Sequence, residues 1–384
     1  MPFEFATAAR IIFGPGKIQA AGELARGLGK RWLVVTGRSN ERGAPLFRAL
    51  EAAGLFHFRF ALPHEPTLES VVLGRDLAIE HHCDGVLGFG GGSAMDAAKA
   101  IAALMTNPGD PLDYIEVIGS AKALANNPAP VMTVPTTAGS GAEVTRNAVL
   151  HSARHRAKAS LRSAGMLPRI ALVDPELTYS LPRETTVSTG LDALTQLIEP
   201  FVSRKNNPMT DAFCREGLGR ACRSLPVACR EGGNAAAREE MALASLLGGL
   251  SLANAALGAV HGFAAALGGM YAAPHGEICA ALLPAVMKVN LQALRARPDG
   301  AWAVNRFDEL GRIFTGNPGA SADDAADWVA SLCAALGVKP LRSLGVPQED
   351  FSEIIPGAAR ASSMKGNPID LDTGELREIL DLAY

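Results

Sequence analysis

Two histidines, His261 and His275, stand fourteen positions apart in the stretch "SLANAALGAVHGFAAALGGMYAAPHGE". No Asp, Glu, Lys or Arg interrupts the chain from Met241 to Gly276. On one unbroken helix the imidazoles would be roughly 21 Å apart at about 1.5 Å per residue, too far to share a cation with Zn–N bonds of about 2.1 Å. Gly268-Gly269 and Ala273-Pro274 lie between them and read as helix breakers, so the chain is expected to leave a helix carrying His261 and fold back with His275. Upstream, "STGLDALTQLIEPFVS" places Asp192 and Gln196 four residues apart, on one face of a helix. One carboxylate and two imidazoles form a usable shell for a divalent cation: catalytic zinc keeps three protein ligands and an open position, and a two-His, one-carboxylate set suits iron(II). A lone histidine in an apolar run is more often a core residue than a ligand, so the assignment needs company from the rest of the chain.

A glycine-rich turn provides some. "GFGGGSAMDAAKAIA" follows the apolar run "DGVLGFG" directly and opens a helix. Gly90, Gly91 and Gly92 let backbone N–H groups approach a phosphate, and the helix from Ser93 offers its positive dipole end. The plainer reading is that Ser93 and Asp96 merely cap that helix. A second run, "TVPTTAGSGAEVT", brings Thr136, Thr137, Ser140 and Gly141 after another strand. In an open parallel sheet both loops meet at the carboxyl edge, where such folds bind ligands.

The elements that must position these residues fall into two classes. From Phe3 to about Val173 apolar runs alternate with amphipathic ones, which predicts βα units and a mostly parallel sheet. Strands are expected at 31–37, 56–62, 84–90, 130–136 and 169–175, with helices at 45–53 and 68–82. Phe3 and Phe5 alternate ahead of Phe13 and predict an opening edge strand. From about Thr185 to Tyr384 the reading is helical, with breaks at "RKNNPM", "RARPDG", "FTGNPGASADD" and "MKGNP". Asp323 and Asp324 suit a helix N-terminus. His64, His81, His82, His151 and His155 are expected on loops or helix ends with structural roles, and Glu199 and Arg204 have functional readings that the sequence does not separate from ordinary helix surface.

A chain of 384 residues is long enough for two cores. The formal charge of −3 argues against a nucleic-acid surface. Six cysteines without a Cys-x-x-Cys read as reduced buried thiols of a cytoplasmic protein. Residues 241–260 are uncharged but rich in small residues, so a buried helix is expected there rather than a membrane span.

"GGGSAMDAAKAIA", "VPTTAGSGAEVT", "VDPELTYSLP", "GLDALTQLIEPFVS" and "AVHGFAAALGGMYAAPHG" resemble, in order and spacing, the iron-containing (group III) alcohol dehydrogenases of the dehydroquinate synthase-like superfamily. The resemblance implies a Rossmann-like dinucleotide-binding α/β domain over residues 1–180 and an all-α metal- and substrate-binding domain over 181–384, with the chemistry in the cleft between. It implies that Gly90, Gly91, Gly92 and Ser93 hold the pyrophosphate with Asp96 supporting that loop, and that Thr136, Thr137 and Lys158 contact the cofactor. It implies that Asp192, His261 and His275 bind Fe2+ or Zn2+ and carry the catalysis. It also implies a small alcohol or aldehyde substrate, hydride transfer to or from a nicotinamide, and a homodimer.

Three departures bear on this. The fourth metal position, normally histidine, is Gln196, a neutral and harder donor that should bind softer metals less well. A second family histidine is Ala265, so the proton path must differ. Gly37 stands where NAD-preferring relatives carry an aspartate, and Gly37, Arg38, Ser39 and Asn40 leave room and donors for a 2′-phosphate. NADP is therefore expected over NAD. Two rival readings keep the fold. One is an oxo-acid reductase of the maleylacetate reductase type with little or no metal, against which the retained Asp192 weighs. The other is a catalytically silent nucleotide-binding protein.

Overall fold

Six parallel strands run in the order β1-β8-β5-β4-β2-β3. They are β1 (Ile11–Phe13), β2 (Arg31–Thr36), β3 (Phe56–Ala61), β4 (Gly85–Gly90), β5 (Val131–Pro135) and β8 (Ile170–Val173). The computed structural model describes every residue except Met1, Asn40 and Asp299; Asn40, named above for the cofactor, thus lies outside the described residues. The inner strands β2, β4, β5 and β8 read as largely apolar runs because both sheet faces are covered there. Leu33, Val35 and Val86 belong to one buried cluster, whereas Trp32, Val34, Leu87 and Phe89 belong to another. Between the strands lie the helices α1 (Ala21–Arg26), α2 (Ala44–Ala52), α3 (Leu68–Glu80) and α4 (Gly92–Thr106). Because β4 pairs with both β2 and β5, with Thr36 opposite Phe89 and Gly90 opposite Pro135, the loops that leave these three strands lie side by side.

An antiparallel hairpin, β6 (Asn147–Ser152) and β7 (Ala157–Arg162), was not expected from the sequence. Its burial alternates residue by residue in β6, a period-two signal too short to stand out beside the apolar parallel strands. His151 accordingly sits on a strand rather than a loop. The expected opening strand also differs: regular pairing begins only at Ile11, against β8. Phe5 instead packs its ring 5.7 Å from that of Phe213, so its partner is a helix and not a sheet edge.

The chain divides into two compact units, Ala6–Leu181 and Pro182–Tyr384, the latter joined by the residues up to Phe5. The second unit is built from α5 (Arg183–Val202), α6 (Pro208–Arg230), α7 (Ala235–Ala255), α8 (Ala259–Met270), α9 (His275–Ala296), α10 (Ala301–Thr315), α11 (Ala322–Leu336), α12 (Phe351–Arg360) and α13 (Thr373–Ala383). Helices α7 and α8 meet at 95°. The bend falls at Ala256, whose φ of 60° and ψ of 177° is a strained conformation for a residue with a side chain. Gly268 and Gly269, expected to break the chain, remain inside α8, since glycine in a helix costs about 1 kcal/mol and does not forbid it. The turn between the histidines comes from residues 271–274, and Pro274 directly precedes α9. Among the described residues α9 is the one single helix long and apolar enough to cross a membrane, and the bent pair α7 and α8 passes only if taken together, yet 78% of the α9 apolar window is buried within the protein.

Candidate functional site

Asp192, Gln196 and Glu199 are spaced i, i+4, i+7 on α5 and share one face. They are 5%, 3% and 5% exposed, so this polar stripe faces the interior. Gly276 lets the start of α9 come close to α5, since a Cβ there would lie 2.5 Å from the Ser188 carbonyl oxygen. The two histidine rings, fourteen residues apart in sequence, come to 5.5 Å between centroids. His261 Nε2 lies 3.4 Å, and His275 Nε2 3.8 Å, from Asp192 Oδ1. One further side chain joins them: Cys279, one turn after His275, places its Sγ within 4.8 Å of ligand atoms of Asp192, His261 and His275.

Three buried atoms in this cluster lack any hydrogen-bond partner: Asp192 Oδ1, Gln196 Oε1 and His261 Nε2. An unpaired buried acceptor costs about 1–3 kcal/mol, more if charged, so these three groups together call for positive charge, either a proton on His261 or a bound cation. His261 Nδ1 bonds Glu199 Oε2 at 2.7 Å. With Nδ1–H donating to that carboxylate, the Nε2 lone pair faces Asp192, the arrangement in which a carboxylate fixes the tautomer of a metal-binding imidazole.

The other Glu199 oxygen accepts the Val260 N–H at 2.7 Å, and Asn367 Oδ1 accepts that of Ala259 at 3.2 Å. These bonds satisfy first-turn donors of α8, and the carboxylate sits at its positive dipole end. Gly258 has to be glycine for this, because a Cβ would come within 2.9 Å of Glu199 Oε1. Burial by itself would lower the His261 pKa, but the Glu199 charge and then Asp192 outweigh it and push it up to about 10. Burial would raise that of Asp192, yet the approach of His261 Nε2 to 3.4 Å and the charges of both imidazoles hold it below the usual carboxylate value. Two buried carboxylates thus favour positive charge on His261.

Glu199 and Cys279 are neighbours of the candidate site that sequence reading did not single out. The seven-residue step from Asp192 and the four-residue step from His275 were the available signals, but both also describe ordinary helix faces.

The glycine loops converge as well. The Thr136 N–H donates to the Gly90 carbonyl at 2.9 Å. Gly90 has φ of +156°, and a Cβ there would be 2.8 Å from that of Ala94. A Cβ at Gly92 would meet Ser140 at 3.0 Å, and one at Gly91 would come within 3.4 Å of Thr137 Oγ1. Gly91 stands at the N-terminus of α4 with no side chain capping it, which leaves the turn at Ser93 open to an anion.

Asp96 does not cap α4, which sets aside the plainer of its two readings. Its carboxylate pairs with buried Lys99 at 2.9 Å and accepts the Val149 N–H at 3.0 Å, tying the hairpin to the helix. Lys158, on β7, is paired with Glu65 at 2.6 Å. At Gly37 a side chain would meet nothing within 4 Å. Arg38 beside it donates to the Pro63 carbonyl, and Ser39 Oγ accepts the Arg42 N–H at 3.4 Å. Arg59 on β3 donates to the carbonyls of Gly37 and Arg38, a second cation at this loop that sequence reading did not name.

The profile described as "Iron-containing alcohol dehydrogenase" matches residues 8–175, and "Fe-containing alcohol dehydrogenase family, C-terminal" matches 186–384. The 1,3-propanediol dehydrogenase of Citrobacter freundii is 35% identical over 386 residues, covering 97% of this chain and 96% of its own. A crystal structure of 1,3-propanediol oxidoreductase superposes with a TM-score of 0.93 at 32% identity, with all of both chains covered. The sulfoacetaldehyde reductase of Bifidobacterium kashiwanohense, solved in complex with NAD+, superposes at 0.87 with 28% identity, covering 100% of this chain and 99% of that one. With its paired loops, its polar stripe on α5 and its matches from end to end, this chain belongs to the iron-containing alcohol dehydrogenase family, whose members are oxidoreductases that use a divalent metal and a nicotinamide cofactor.

Proposed function

We propose that the protein interconverts a small alcohol and its aldehyde or ketone with NADP(H), using a divalent cation held by Asp192, His261 and His275 with Gln196 beside them. The convergence of three unpartnered buried acceptors, Asp192 Oδ1, Gln196 Oε1 and His261 Nε2, carries this reading. Iron(II) and zinc both fit a carboxylate with two imidazoles. When bound, the cation supplies Lewis-acid polarisation of an alcohol or carbonyl oxygen, and the nicotinamide supplies the hydride exchange.

The chain's own residues do the rest. Asp192 brings negative charge that offsets the cation, Glu199 holds His261 in the tautomer that presents Nε2, and the uncharged stretch 241–276 keeps the site dry, where electrostatic terms are strong. The unit Ala6–Leu181 is assigned the dinucleotide, its pyrophosphate at Gly90, Gly91, Gly92 and Ser93, with Thr136 and Thr137 alongside. The unit from Pro182 is assigned metal and substrate. Open space at Gly37 with Arg38 and Arg59 around the loop supports a 2′-phosphate, hence NADP. The six free thiols support a cytoplasmic setting, and the short β1 edge supports a homodimer.

The test is turnover of an aldehyde panel by metal-free protein before and after reloading with iron(II) or zinc. Reloading restores NADPH oxidation, whereas full activity without metal removes the proposed role. In the same assay kcat/KM is higher with NADPH than with NADH; the reverse order ends the NADP assignment.

A further inference from the structure

Cys279 is fully buried and lies on the same face of α9 as His275, one turn along. Its Sγ is 3.6 Å from His275 Nε2. Two further edges of the cluster are 3.4 Å from His261 Nε2 to Asp192 Oδ1 and 3.8 Å from His275 Nε2 to the same oxygen. A tetrahedral centre with bonds of about 2.1 Å to nitrogen and oxygen and about 2.3 Å to sulfur has N–O edges of roughly 3.4 Å and N–S edges of roughly 3.6 Å. These three edges match those lengths to within about 0.4 Å, the one to sulfur included, and all the ligand atoms lie within 4.8 Å of one another.

We infer that Cys279 is a metal ligand in this protein, supplying a thiolate where the sequence offers only the neutral amide of Gln196. The inference rests on the metal site proposed above. A borderline-soft cation takes a thiolate over a neutral carbonyl oxygen. Asp192 and Cys279 then bring two negative charges to a doubly charged ion, while the charge of Glu199 is engaged with His261. The thiol proton leaves to solvent as the cation binds. Coordination can expand to five, so a fourth protein donor does not close the site. The consequence reverses the expectation drawn from Gln196: the site favours zinc and cobalt(II) over hard cations such as magnesium and manganese(II).

Cobalt(II) titration of the metal-free full-length protein tests this without measuring turnover. The expected result is one cobalt per chain with visible d–d bands and a near-ultraviolet thiolate-to-cobalt charge-transfer band. Cys279→Ala and Cys279→Ser lose the charge-transfer band, keep the d–d bands, and bind zinc at least about tenfold more weakly. Cobalt bound one per chain without charge transfer, or with a band unchanged in both variants, overturns the ligand assignment while leaving the metal site standing. Failure to bind cobalt at all overturns the site and the assignment together. Thermal melting of both variants, with the serine nearly isosteric, separates loss of the ligand from loss of the fold.

Discussion

The two candidate sites of this chain are made from different material. The cage in the helical unit consists of side chains: Asp192, His261, His275 and the Glu199 behind them, nearly all buried and committed to one another. The loops after β4 and β5 are made of backbone, and what matters there is the absence of side chains at Gly90 and Gly92. A side-chain site concentrates charge and fails when one group changes. A backbone site spreads its donors over several peptides and fails only where a Cβ has no room.

The largest effect expected from this contrast is Asp192→Asn, which keeps the shape and removes the cage's charge. Several kcal/mol of transition-state stabilisation go with the metal, about a thousandfold or more in kcat/KM, and metal analysis finds substoichiometric ion. A variant that retains full metal and activity would break the side-chain half of the comparison. Next comes Glu199→Gln. A glutamine cannot accept both the Val260 N–H and the His261 Nδ1–H, so its amide drives the imidazole toward the wrong tautomer, with metal affinity about 10–100-fold weaker in equilibrium dialysis.

On the backbone side, Gly90→Ala and Gly91→Ala should part company. The first meets both a left-handed φ and a 2.8 Å contact with Ala94 and lowers stability by about 1–3 kcal/mol, visible as a lower melting temperature. The second faces only a 3.4 Å contact, so it leaves melting nearly unchanged and raises KM for the cofactor. Equal melting temperatures for the two would show that the loop tolerates side chains generally.

The smallest effect is a pH slope. The folded pKa of His261, without metal, is raised from 6.5 to about 10. The stabilisation of the metal-free protein by this group is therefore full below pH 6.5 and lost as pH rises through 10. The cation has to displace that proton, so apparent metal affinity rises up to about tenfold per pH unit across the same window. Calorimetric titration at pH 7 and pH 8 reads this slope, and a flat profile would mean that His261 is already neutral.

Much of this was legible in the chain. The apolar runs at 31–36, 85–90 and 131–135 became the central strands because a strand buried on both faces has to be apolar throughout. The two histidines were legible because polar residues in an uncharged, apolar stretch need a reason to be there, whereas Asp192 was legible through its four-residue spacing to Gln196 and the motif that carries it. The hairpin at 147–162 was missed because six residues of alternating burial carry little signal. Glu199 was missed because a carboxylate seven residues past another looks the same on an exposed helix face as on a buried one, and the bond to His261 spans 62 positions.

Residue type and local period by themselves determined which segments become strand or helix, which turns must be bare of side chains, and which groups are able to bind a cation. They act over a few residues, where backbone sterics and side-chain chemistry decide. The tertiary structure alone decided which polar groups face one another: that α8 turns 95° from α7, that α9 starts against Ser188, and that Cys279 and Glu199 flank the histidines. Those juxtapositions depend on how whole helices pack, a sum of many weak contacts that no single stretch of the chain contains.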